Sequence, residues 1–491
     1  MITAKDFFIN YKKLPINPIQ QAQNLFVADT RPVFGSKAAE SLPPNQKKYG
    51  LAQGFLCNDH PQTDYKDFQG NLINTETGKL FQMASVKEAK RLFYEQDVKD
   101  PNSDMYLSPK DPIALKLEPL VRKVLFGGST NSVIDKPSIS TLTTTTTNTH
   151  LSVLIGTETI GSSRVATVPL PGMAPTLKET IILLHSGHPE IDTVVLGTNG
   201  YGGYADILKG SFKNIIKYTQ STSDNRFNLE SLKETVNHLE DPRKAILLIQ
   251  ADAYNYIGVN PSSEQWKDLV EFIQEKEILP LVDNAYHGLM RGLTEDVEIV
   301  RLLAQTDLPF IVIDSYSKKA ALYGKRVSFL HVVTGSAEQA EIVRANLYGQ
   351  IRTSFIGIPP FFKIIYYLLS NPETYKFWLE KDLPAARSIL TETKDQMASL
   401  MGTNFAYLGT GITRGMFNKI NISYEGNKVL AEKYGIFIVN AKDEDRMIKT
   451  AENPNGSPAE SQRINMAAIP VDSREYVANA FKEVYTKYRT D

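Results

Sequence analysis

Four short apolar runs, at 193–196, 245–249, 278–282 and 310–313, recur along the middle of the chain, each bounded by polar or turn residues and separated by helix-like segments. Runs this short and this rich in Val, Ile and Leu read as strands buried on both faces. The segment 264–276 follows Pro261-Ser262-Ser263, which offers an N-cap, and places Trp266, Leu269, Val270, Phe272 and Ile273 at helical spacing. Strands alternating with helices imply an α/β fold with a mainly parallel sheet, whose ligands gather at the carboxyl ends of the strands. Asn255, Asp283 and the run Ser315 to Lys318 stand at such ends.

The 491 residues, 42% of them hydrophobic, can bury more than one core. Lys plus Arg number 54 and Asp plus Glu 55, a formal net charge of -1, so no basic field exists to attract nucleic acid or an anionic membrane. An anionic ligand must then be held by particular arginines. Cys57 is the single cysteine, which excludes an internal disulfide framework and cysteine-based zinc spacing, and fits a reducing compartment. The first ten residues hold no apolar signal core, and no run of about 18 apolar residues occurs, so a cytoplasmic protein is expected. Three stretches read as loops or insertions: 33–49, 127–163 with its threonine run, and 441–462.

The chemistry concentrates in three motifs. Ser315-Tyr316-Ser317-Lys318 follows an apolar strand, where a partly desolvated amine can act as a Schiff-base nucleophile; Ser315 and Arg326 supply a hydroxyl and a planar guanidinium suited to a phosphate dianion. Asp283, in Asp283-Asn284-Ala285-Tyr286, reads either as a turn former or as the anion that keeps a pyridine-type ring nitrogen protonated, with Tyr286 placed to hydrogen-bond the ring hydroxyl. The third is Asn255-Tyr256-Ile257-Gly258, uninformative in isolation.

In order and spacing these elements resemble the class I pyridoxal-phosphate-dependent aminotransferases, specifically the aspartate and aromatic aminotransferase group. The group's Asn-Pro-Thr-Gly, Asp-x-x-Tyr and Ser-x-Ser-Lys with a following Arg match Asn255 to Gly258, Asp283 with Tyr286, and Ser315 to Lys318 with Arg326. Pro18 to Pro32 is similar to the family's N-terminal entry, and Gln53-Gly54 to a substrate-contacting pair. The resemblance implies fold type I, with a large cofactor domain over 67–386 and a smaller α/β domain built from 1–66 and 387–491. It implies pyridoxal 5'-phosphate carried by Lys318 as a Schiff base, with Lys318 as acid and base. Asp283 would sit at the ring nitrogen, Asn255 and Tyr286 at the ring oxygen, and Tyr201 on the ring face. Ser315, Ser317, Arg326, Gly172 and Met173 would hold the phosphate, joined by Tyr106 from a partner subunit. Arg463, flanked by Phe417 and Gly54, would grip the α-carboxylate, and Arg352 a distal carboxylate across a homodimer. The implied reaction moves an amino group between an amino acid and a 2-oxo acid, with no nucleic acid or membrane involved.

The chain departs from the family pattern in places. Tyr256 replaces the proline after Asn255, and since a cis bond to a non-proline costs roughly 2.5 to 4 kcal/mol, a cis turn there is expected to be strained or absent. Pro171-Gly172-Met173 stands for the Ser-Gly-Thr phosphate loop, removing two hydroxyls and a backbone donor. Tyrosines replace both the ring-stacking tryptophan and the neighbouring histidine. A β-decarboxylase or β-lyase on the same scaffold, and a non-catalytic cofactor-binding regulator, are the alternative readings. His287 reads as a packing residue. His185 and His188 lack a third metal ligand, and Phe361, Phe362, Tyr366 and Tyr367 read as core or dimer interface.

Overall fold

The computed structural model describes residues 49–490, apart from 52–53, 59–60, 101–106, 108–110, 128–163, 356, 359 and 441–461. A seven-stranded sheet forms its centre: β1 (Val165–Leu170), β2 (Thr193–Gly197), β3 (Asn214–Tyr218), β4 (Ala245–Gln250), β5 (Leu279–Asn284), β6 (Phe310–Ser315) and β7 (Ser328–Val333), in the spatial order β1-β7-β6-β5-β4-β2-β3. Strands β2 to β6 run parallel, and β7 lies antiparallel to both β1 and β6. Every residue of β1, β2, β4, β6 and β7 is buried, as helices covering both faces of a parallel sheet require.

The four apolar runs became β2, β4, β5 and β6. Asp283 and Ser315 lie within the last two residues of β5 and β6 rather than after them. Three strands were not anticipated: β1, β3 and β7. β1 contains Pro169, which an edge strand tolerates because its missing N–H interrupts no ladder on the open side.

The helices that matter to the site are α1 (Met173–Gly187), α2 (Ser263–Lys276), α3 (Tyr316–Lys319), α4 (Ala337–Ser354), α5 (Leu383–Met401) and α6 (Arg474–Tyr488). α2 starts where its sequence indicates. The Ser262 hydroxyl accepts from the Gln265 N–H at 3.2 Å, and the Gln265 side chain accepts from the Ser262 N–H at 3.1 Å, a reciprocal cap that contributes about 1 kcal/mol. Trp266, Leu269, Val270, Phe272 and Ile273 form its buried face.

A second core lies around a three-stranded antiparallel sheet of β8 (Phe417–Ile420), β9 (Val439–Asn440) and β10 (Gln462–Asn465), ordered β9-β10-β8. Tyr49, Leu51 and Cys57 from early in the chain join it, as does the apolar face of α6. α5 links the two cores: Leu383, Ala386, Ile389 and Leu390 pack in the large one, Met397 and Met401 in the small one. The position between 386 and 387 therefore falls inside a continuous helix. Gln462, at the end of the third loop-like stretch, is the first residue of β10. Of the aromatic cluster, Phe362 is fully buried, while Phe361, Tyr366 and Tyr367 pack partly buried against the large core.

Candidate active site

Register aligns the carboxyl ends of β4, β5 and β6, where Gln250 pairs with Asp283 and Asp283 with Ile313. Asp283 is buried. Its Oδ2 accepts a hydrogen bond from the Tyr204 hydroxyl at 2.5 Å, whereas its Oδ1 is buried with no partner among the described residues. Loss of water pushes the Asp283 carboxyl up to about 6, against the pull of the Tyr204 bond and the Lys318 charge. Desolvation also lowers the Lys318 amine to about 8, opposed by Asp283 and helped by Arg326 and Arg463. Lys318 Nζ lies 5.7 Å from the centre of the Tyr286 ring.

Ser315 ends β6 and caps α3, its hydroxyl accepting from the Ser317 N–H at 3.2 Å; this turn presents Lys318 to the cleft while Ser315 and Ser317 stay buried. Nearby, Gly172 caps the N-terminus of α1 with φ +86°. A Cβ on Gly172 would lie 2.8 to 3.0 Å from the Nη2, Cζ and Nε atoms of Arg326, so the guanidinium rests directly on the glycine backbone. Bare backbone N–H groups at a helix N-terminus beside a guanidinium form an anion cradle. Thr176 ties that turn down, donating to the Gly172 carbonyl at 2.8 Å and meeting the Ser328 hydroxyl at 2.6 Å. Met173, half-buried, is the first helical residue.

The third group comes from the small sheet. Arg463 on β10 stacks its guanidinium 4.6 Å above the Phe417 ring on β8 and donates to Asn255 Oδ1 at 3.2 Å. Asn255 is itself held by Gln250, whose Oε1 accepts from the Asn255 N–H at 2.8 Å, and it also bonds the Tyr286 side chain. The Asn255–Tyr256 peptide is cis, so of the two expected outcomes the turn is kept rather than lost. Tyr256 then donates its hydroxyl to Asn199 Oδ1 at 3.1 Å. A Cβ on Gly54 would lie 2.8 Å from Phe417 Cζ and 3.7 Å from Lys318 Cε, so that backbone covers both. Tyr201 stands half-buried, edge-on to Tyr204 with ring centres 5.4 Å apart.

Residues 141–481 match the family model described as aminotransferase class I and II. The chain belongs to that aminotransferase family. Among curated relatives it is 27% identical over 288 residues to an aspartate aminotransferase of Pseudomonas aeruginosa, covering 58% of this chain and 71% of the relative. It is 28% identical over 284 residues to an aromatic-amino-acid aminotransferase of Escherichia coli, covering 56% and 70%. Among solved structures, that of an aromatic-amino-acid aminotransferase from Burkholderia pseudomallei, covalently bound to pyridoxal phosphate, superposes with a TM-score of 0.72 at 22% identity, covering 97% of this chain and 99% of that one. The architecture is fold type I, and this aminotransferase is a pyridoxal-phosphate-dependent enzyme.

The aminotransferase's own residues fit that cofactor. The unpartnered Asp283 Oδ1 suits a pyridinium N–H, the cradle of Gly172 and Arg326 suits a phosphate, and an amine lowered to about 8 suits capture of an aldehyde. Tyr106 lies outside the described residues, as do Gln53, the segment Pro18 to Pro32 and nearly all of the three loop-like stretches. Arg352 is exposed on the last turn of α4, with no hydrogen bond or ion pair of its side chain among the described residues. Gln250 was not singled out from the sequence, and Tyr204, one of the two tyrosines standing for the family's tryptophan and histidine, was not expected to bond Asp283. Tyr204 follows Tyr201 by three residues on a turn entering a helix, and that spacing was the available signal.

Proposed function

We propose that this enzyme moves the amino group of a dicarboxylic or aromatic amino acid onto a 2-oxo acid such as 2-oxoglutarate. The observation that carries the substrate assignment is Arg463: buried, stacked on Phe417, fixed by Asn255 and near enough for its charge to act on the Lys318 amine. A guanidinium held flat in this way presents a planar fork to an α-carboxylate. The relatives named for aspartate and for aromatic substrates support both side-chain classes.

When bound, pyridoxal phosphate supplies an aldehyde that takes up the amino group and a protonated ring that draws electrons from the substrate Cα. With the cofactor bound, the Lys318 amine would serve as the base and acid that moves the substrate's Cα proton, Asp283 would keep the ring nitrogen protonated, and Asn255 with Tyr286 would orient the ring oxygen. Tyr201 would cover the ring face. Ser315, Ser317, Gly172, Met173 and Arg326 hold the phosphate. The working form is a cytoplasmic homodimer in which Tyr106 and Arg352 reach the neighbour's site, and each subunit divides into a large domain over 67–386 and a small one over 1–66 and 387–491. An exposed Arg352 without an intrachain partner among the described residues supports that exchange.

The test is an amino-acid panel with 2-oxoglutarate, scored by glutamate formed, on the parent, Arg463→Ala and Arg352→Ala. Arg463→Ala should impair every amino acid, and Arg352→Ala should impair aspartate most, each bidentate pair contributing roughly 1.5 to 3 kcal/mol. Equal losses for aspartate and phenylalanine in Arg352→Ala would remove its selective role.

A further inference from the structure

Behind the cleft, four polar side chains lie entirely out of water: Asn284, His287, Asp314 and Lys319. Lys319 Nζ donates to both Asp314 oxygens, at 2.6 and 2.7 Å, and to His287 Nδ1 at 3.3 Å. Asn284 Nδ2 donates to Asp314 Oδ1 at 2.8 Å, and His287 Nε2 donates to the Leu293 carbonyl at 2.7 Å. Because Nδ1 accepts and Nε2 donates, His287 is neutral. Burial and the Lys319 charge push it well below the usual imidazole range.

These residues alternate with those of the site. Asn284 follows Asp283, Lys319 follows Lys318, and Asp314 precedes Ser315. Asn284 and Asp314 are cross-strand partners on β5 and β6, and the Asp314–Lys319 ion pair closes the turn from β6 into α3. The Lys319 ammonium also lies 4.0 Å from the centre of the Tyr316 ring, and its carbonyl accepts from Trp378 Nε1 at 3.0 Å. A four-residue helix has no length to stabilise itself, so this turn takes its geometry from such contacts.

We infer that Asn284, Asp314, Lys319 and His287 form a positioning device that fixes the amine of Lys318 relative to the carboxylate of Asp283. The inference rests on the site reading above, with Lys318 and Asp283 both acting on the cofactor. An uncoupled turn would let Lys318 Nζ drift from the line between substrate Cα and C4′, and displacement of a reacting group by about 1 Å can cost about 100-fold in rate. The charged groups that act on the Lys318 amine are Asp283, Arg326 and Arg463, none of which the variants below alter.

Two variants test it. Asp314→Asn combined with Lys319→Met removes both buried charges together, leaving no uncompensated ion. Asn284→Ala keeps the ion pair whole and cuts only the link to β5, and it decides alone should the first variant not fold. Each folded variant is measured for thermal melting, kcat and KM, and the cofactor-free form for its rate of covalent pyridoxal-phosphate capture, followed by absorbance. The expected result is a kcat lower by about 10- to 100-fold with KM changed less than about twofold, and capture slowed by about tenfold. Parent-like kcat and capture, with only the melting temperature lowered, would overturn the inference and leave the cluster a purely stabilising one. Failure of the site reading shows separately: Lys318→Ala would then still give a borohydride-trapped cofactor adduct.

Discussion

Tyr204 and Asp283 share a 2.5 Å hydrogen bond, the phenol donating to one carboxylate oxygen while the other has no partner among the described residues. Burial raises Asp283 to about 6, and the Tyr204 bond is the largest influence holding it down. The phenol stabilises the ionised carboxylate, so Tyr204→Phe should raise the Asp283 pKa and move the acidic limb of kcat/KM to higher pH. A bond to a charged group contributes about 1.5 to 3 kcal/mol, which corresponds to roughly one to two pH units. Activity near pH 8 should be kept to within about twofold while activity near pH 6 falls by roughly 5- to 50-fold. An acidic limb at the parent's position in the phenylalanine variant would show that this bond does not set the titration.

Gly172 and Arg326 make a separate prediction about the cofactor's phosphate. In Gly172→Ala the new methyl would meet the guanidinium at 2.8 to 3.0 Å at a residue whose φ is +86°, so both the side chain and the backbone must give way. Affinity for pyridoxal 5'-phosphate should fall by about 10- to 100-fold, the loss of one charge-assisted contact. Affinity for pyridoxal, which lacks the phosphate, should be unchanged. Equilibrium dialysis of the cofactor-free protein against each compound distinguishes a damaged cradle from general misfolding, which would weaken both.

A second buried amine, Lys394, lies on α5. Its ammonium is buried against Asn418 Oδ1 at 3.0 Å, the Gly415 carbonyl at 3.2 Å and the Thr413 hydroxyl at 3.3 Å, and desolvation lowers its pKa from 10.5 to about 7. Between those two values the unfolded chain keeps a proton that the folded chain has given up, so stability rises with pH across this window, by at most about 1.4 kcal/mol per unit. Below about pH 7 the full cost of the buried charge applies. Lys394→Met should flatten the rise, read as urea midpoints between pH 7 and 10. A slope as steep as the parent's in that variant would assign the dependence to another group.

How much of this was legible beforehand depended on whether a signal was local. β2, β4, β5 and β6 each hold a short run dominated by Val, Ile and Leu, with polar residues confined to the strand ends, so burial is written into them directly. β7 hides behind Ser328 and His331, polar residues that become acceptable in the interior only through distant partners, such as Thr167 meeting His331 at 3.0 Å. The same difference separates Lys318 from Tyr204. Lys318 sits in a contiguous motif, whereas Tyr204 gains its role from Asp283, 79 residues away. The cis Asn255–Tyr256 bond could not be anticipated from residue preference, since the local rule favours trans and the surrounding structure decides.

The last prediction concerns sharing of sites between subunits. If Arg352 serves the neighbour's cofactor, Lys318→Ala and Arg352→Ala chains that are unfolded and refolded together give mixed dimers with one site carrying both defects and the other neither. Random pairing makes about half of all dimers mixed, so roughly a quarter of all sites should regain full activity toward aspartate, given a symmetric interface. If Arg352 served its own chain, each site in a mixed dimer would keep one defect, and mixing would restore nothing. Arg352 stands exposed at the end of α4, so the recovered quarter measures whether a partner's cleft takes up its guanidinium.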